Sequence, residues 1–138
     1  MKPPTYEDST RIPLSTDALI QQRVATLIGK AIRRQLWVMF LDKNDVQLPV
    51  LMPIDGVPTQ PEGNDRLPEI LRQLVDSVGA HSVILVLERY ASQELTGSDI
   101  AWARALHKAA EGADIGLRAI LLSHRGGVRW VAQDDYRF

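Results

Sequence analysis

Apolar residues along this chain follow two rhythms, one repeating every three to four positions and one nearly continuous. STDALIQQRVATLIGKAIRRQ places Leu19/Ile20, Val24, Leu27/Ile28 and Ala31 at helical spacing. Ser15 or Thr16 can cap its start, and Lys30, Arg33 and Arg34 suit the negative end of its dipole. LWVMFLD and VQLPVLMPI then read as two strands joined by the turn Lys43-Asn44-Asp45. Pro49 has no N–H to give to a ladder, which predicts an edge strand or a bulge there. A Pro- and Gly-rich connection, Asp55 to Asp65, leads to a second helix. Asp65 is its expected cap and Gly79 its stop, with Ile70, Leu71, Leu74, Val75 and Val78 on one face.

HSVILVLER is apolar almost without interruption, as a strand covered on both faces must be. After it come polar residues and then SDIAWARALHKAAEGAD, an Ala-rich helix with Ile100, Ala103, Leu106 and Ala110 in one stripe. GLRAILLS and GVRWVAQ pair across HRGG. The order α-β-β-α-β-α-β-β predicts one three-layer α/β domain over residues 15–138, a mixed sheet with helices on its faces. Residues 1–14, with three prolines, read as a mobile or loosely docked arm.

Composition narrows the chemistry. A length of 138 residues with 45% hydrophobic and 24% charged residues fits one soluble domain with a real core. The net charge of -1 gives no general attraction to nucleic acid or to an anionic membrane. The chain has no Cys, which removes disulfides, thiolate ligands and a Cys nucleophile and fits a cytoplasmic location. The first residues lack the apolar stretch of a secretory signal, and the run Leu36 to Leu41 is too short to span a bilayer.

Candidate chemistry gathers after the third strand, because sites in α/β folds form at the carboxyl ends of strands. Glu88, Thr96, Ser98 and Asp99 are the candidate binding residues there. Glu88 and Asp99 could supply two carboxylates to a hard cation, or Glu88 could pair with Arg89 or a nearby Arg while Asp99 sits in the first turn of the helix. Thr96 or Ser98 can cap that helix, and Ser98 could act as a nucleophile only with a base beside it. His107 is poorly placed on the helix for that role. His81 and His124 fall in different parts of the fold, so the three His do not form a ligand set. Trp37, Trp102 and Trp130 read as core or interface anchors.

Three strings, LWVMFLDKND, SVILVLE and LTGSDIAWARALHKAAEGADIGL, resemble the JAMM (MPN-domain) metalloprotease fold in its bacterial RadC-like branch, over about residues 24 to 134. The resemblance implies zinc bound by two His and an Asp, a Ser shortly before that Asp, and an upstream Glu as general base. Only Asp99 matches. Val86 and Glu88 stand where the His would, Thr96 where the Ser would, and Arg34 where the Glu would; Ala119-Ile120 replace the branch's Asp-His pair. Catalytic zinc needs about three protein ligands. The resemblance therefore implies a non-catalytic, metal-free interaction or scaffold domain with no cofactor. Its expected partner is itself, as a homodimer, or another protein. Pro49 and Pro53 make a poor pairing edge, so such a dimer would use helices or the aromatic segment Trp130 to Phe138. A metal-independent hydrolase built on Glu88, Ser98 and Asp99 is the alternative, followed by a nucleic-acid accessory role of RadC-like type.

Overall fold

The computed structural model describes residues 12–61 and 66–136. Five strands form one mixed sheet: β1 (Gln35–Leu41), β2 (Gln47–Asp55), β3 (Ser82–Glu88), β4 (Gly116–His124) and β5 (Gly127–Val131), in spatial order β2-β1-β3-β4-β5. Helix α1 (Asp17–Leu27) covers one face, while α2 (Leu67–Val78) and α3 (Gly97–Gly112) cover the other. Only β3 and β4 pair in parallel; β1 runs antiparallel to both β2 and β3, and β5 antiparallel to β4.

The central strand explains the layering. Every residue of β3 is buried. Val83, Leu85 and Leu87 pack toward α2 and α3, and Ile84 and Val86 toward α1. Alternation along an extended chain produces this division, and an apolar run with no polar face can be satisfied only between two helical layers. Phe40, Leu71 and Leu106 fill the first core, and Met39, Ile20 and Val24 the second.

The hairpins form where turn chemistry predicts them. Asp42 accepts from the backbone N–H groups of Asn44 (2.8 Å) and Val46 (3.0 Å), and Asp45 adopts φ 63. β2 is an edge strand, and its register against β1 slips between Met39/Leu51 and Leu41/Gln47, the stretch that contains Pro49. Both outcomes foreseen from Pro49 therefore occur together. Among the described residues no helix is long and apolar enough to cross a membrane.

Two expectations need correction, the end of the first helix and the place of Ile70. The first helix stops at Leu27, because Gly29 turns to φ 67 and the N–H groups of Ile28 and Gly29 both donate to Val24 O. Lys30, Arg33 and Arg34 thus lie in the connection to β1, and no basic residue occupies the helix's last turn. Thr16, not Ser15, caps this helix. Ile70 lies on the flank of α2 with 38% of its surface exposed, while Leu71 and Val75 face the core. The expected cap Asp65 lies outside the described residues. Within the aromatic C-terminal segment, Tyr136 is buried in the α2/α3 core and its carbonyl accepts from Arg104; residues 137 and 138 lie outside the described residues. Of the expected arm, Leu14 is fully buried and donates its N–H to Asp45 O at 2.8 Å; residues 1–11 lie outside the described residues.

Candidate functional site

The residues after β3 separate into two networks on opposite faces of the sheet. Arg89 continues the alternation of β3 and turns toward the α3 side. Its Nη2 donates to Asp99 Oδ2 at 2.7 Å and its Nε to Asp99 Oδ1 at 3.1 Å. The rest of the guanidinium binds loop carbonyls, Nη1 to Ser92 O at 2.6 Å and Nη2 to Glu94 O at 2.9 Å. Both side chains of the pair are buried, 8% and 2% exposed. Asp99 also accepts from Thr96 N at 2.9 Å, and Thr96 Oγ1 accepts from Asp99 N at 3.1 Å. This is a capping box, and it decides between the two possible caps in favour of Thr96. Burial alone would push the Asp99 carboxyl up, but Arg89 and Thr96 together hold it below its ordinary value.

Glu88 points the other way. Its Oε2 accepts from Ile32 N (2.7 Å) and Arg33 N (3.2 Å), and its Oε1 from Gln35 Nε2 (2.7 Å) and Trp37 Nε1 (2.8 Å). The carboxylate is 2% exposed. It is satisfied by four uncharged N–H donors rather than by the Arg partner expected from its neighbour in the sequence. Burial again opposes ionisation, and the four donors outweigh it, so the carboxyl is held below the ordinary range. Glu88 and Asp99 share no partner. Val86, which the resemblance sets beside Glu88 as a former ligand position, is buried among α1-side residues.

Arg34, where that resemblance expects a general base, binds the loop after β2. Its Nε donates to Val57 O and its Nη2 to Pro58 O, both at 2.8 Å. Trp102 Nε1 donates to the same Pro58 carbonyl at 2.9 Å. Ser98 Oγ donates to Thr59 O and accepts from Arg34 Nη2 at 3.4 Å. The hydroxyl therefore faces a carbonyl and a cation, and neither can take its proton. His107 is occupied elsewhere on α3, with Tyr136 Oη 2.9 Å from Nδ1 and Glu111 Oε1 2.9 Å from Nε2.

No family model matches the chain, and no curated protein does so either.

The geometry says what this end of the sheet can do. A catalytic or metal site keeps donors or acceptors in reserve for its ligand. Among the described residues, the buried side-chain polar atom with no partner is Ser82 Oγ, at the opposite end of β3. No cluster of three or more His, Cys, Asp or Glu that could hold a metal occurs among the described residues. Gln35 and Trp37 were not recognisable as polar partners from their sequence neighbours. The available signal was their shared face at the start of β1, opposite Glu88 in the antiparallel register.

Removing one member of a buried pair leaves the other charged and unpaired, which costs about 3–5 kcal/mol. Arg89→Met and Asp99→Leu should each lose about that much in urea titration. The double variant should lose clearly less than their sum, because the two side chains act as one unit. Additive losses would show that the pair is not coupled.

The pH dependence has one sign. Glu88 and Asp99 have folded-state values below their unfolded ones, so their stability is present above the unfolded values and is lost as pH falls through the folded ones. His124 is buried beside Arg89 and Arg129; desolvation first, then these two cations, lowers its pKa from the ordinary 6.5. Its protonation therefore also opposes folding. Urea midpoints should begin to fall as pH drops below about 6.5, and fall more steeply below about pH 4. His124→Gln should abolish the first phase and leave the second.

Proposed function

We propose that this chain is a non-catalytic interaction domain of JAMM/MPN-like fold, working by contact with a second copy or with another protein. The observation that carries the reading is the Arg89 guanidinium clasped by Asp99 and two loop carbonyls. Asp99 is the one position that matches the resembling family's zinc ligands, and here its counterion is built into the chain. A fixed guanidinium on that carboxylate repels a second cation and occupies both of its oxygens. Arg34 adds another positive charge nearby, since Asp99 and Arg89 both act on it electrostatically.

The edges of the sheet support contact through side chains rather than through added strands. β2 carries Pro49 and Pro53. On β5, Val128 O accepts from Gln21 Nε2 (3.5 Å) and Trp130 O from Arg129 Nε (3.2 Å), so side chains of the same chain cover both carbonyls. Such edges resist pairing with another sheet.

A ligand that binds only the folded state stabilises it by about 2.7 kcal/mol at a hundredfold excess over its Kd. For a domain of this size that raises Tm by several degrees. The purified protein should show no rise in Tm with zinc, no loss with chelator, and no hydrolysis of peptide or isopeptide substrates. One zinc per chain by metal analysis, with Tm falling on chelation, would contradict the reading.

A further inference from the structure

We propose that Lys30, Ile32, Arg33, Tyr90 and Arg125 form a docking surface for an acidic segment of a partner protein that carries apolar side chains. This rests on the interaction-domain reading and names the surface and the chemistry of its partner.

The first observation is exposed apolar surface on rigid backbone. Ile32 is 75% and Tyr90 69% exposed, the two highest values among the large hydrophobic side chains described. Neither sits on a loose loop. Gly29 O accepts from Ser123 Oγ at 2.6 Å, and Ala31 N donates to His124 O at 2.9 Å. Ile32 N is held by Glu88 at 2.7 Å. On the other side of the β4–β5 turn, Arg89 N donates to Ser123 O at 3.1 Å and Arg125 N to Ala91 O at 2.9 Å. Three chain segments are thereby stitched side by side, with Ile32 and Tyr90 projecting from them. Holding the backbone beneath these side chains in place before a partner arrives removes part of the ordering cost that binding would otherwise carry.

The second observation is charge. Lys30, Arg33 and Arg125 are exposed, and none makes an ion pair with a described residue. Arg66, Arg72, Arg118 and Arg129, by contrast, all pair with carboxylates of this chain. Glu88 and Asp99, which flank this surface, are buried and already hydrogen-bonded within the chain. Exposed Asp55 and Glu94 offset the rim only in part. A positive rim around two apolar anchors complements carboxylates around apolar side chains: the anchors contribute affinity and the rim contributes orientation and approach rate. Three free cations would give only weak, salt-sensitive contact with phosphates, and the overall charge of -1 adds nothing to it. A protein segment is therefore favoured over nucleic acid or a lipid surface.

The test is fluorescence anisotropy of the full chain with a labelled peptide of Glu and Asp interrupted by Leu and Phe. Controls are the same peptide with Lys for its acidic residues, the acidic peptide with Ser for Leu and Phe, single-stranded DNA, and phosphatidylserine vesicles. The acidic, apolar peptide should bind best. Arg33→Glu with Arg125→Glu, and separately Ile32→Ser with Tyr90→Ser, should each weaken it by about tenfold or more. These side chains are exposed, so Tm should hardly move. Equal binding of the Lys peptide, unchanged binding by both variants, or tighter binding of DNA or vesicles that the same charge variant abolishes would each overturn the proposal. Failure here leaves the non-catalytic reading to its zinc and hydrolysis assays, which probe Asp99 on the other face of the sheet. Success here together with stoichiometric zinc would remove that reading and leave the surface standing.

Discussion

The contact between Arg89 and Asp99 organises the loop and the helix start that follow the central strand. Burying either charge alone would be prohibitive, and burying both is tolerable only when the remaining donors and acceptors are also satisfied. Here they are. The guanidinium that binds Asp99 also gathers the carbonyls of Ser92 and Glu94, and the carboxylate completes the cap of α3 with Thr96. One ion pair thus ties down both the path of the loop and the start of the helix.

Glu88 solves a different problem on the other face. A carboxylate at the end of an apolar strand must be neutralised or fully hydrogen-bonded. The chain brings four N–H donors to it from the short connection between α1 and β1 and from β1 itself. That connection has no regular hydrogen-bonding partner of its own over Ile32 and Arg33, so the carboxylate acts as its anchor. The exposed positions of Ile32 and Arg33 follow from this anchoring. Structure and proposed recognition are linked here by a side chain that reaches no partner itself.

The apolar pattern made much of the fold legible. The uninterrupted run in β3, the two crossovers, both hairpins and the irregularity at Pro49 all followed from periodicity and from the chemistry of turns and proline. The end of α1 was misread because the apolar spacing continues through Ile28 and Ala31, while Gly29 breaks the helix and contacts with Ser123, His124 and Glu88 hold the chain that follows. The site residues were legible as a cluster but not in their pairing. Glu88 and Arg89 are neighbours in sequence, which suggests a pair, yet successive residues of an extended chain face opposite ways. Local spacing could also suggest only a first-turn dipole role for Asp99. Its buried partnership became visible when the fold brought Arg89 over the helix start.

Both carboxylates are buried and hydrogen-bonded by the chain's own donors, which holds them ionised. Their side-chain carboxyl carbons can be followed by NMR through an acid titration and again with zinc or magnesium chloride added. The account predicts that Glu88 titrates below 4.5 and Asp99 below 3.8, their ordinary values, and that neither resonance moves with metal. Titration of either group above its ordinary value, or a saturable shift of either resonance with metal, would contradict it.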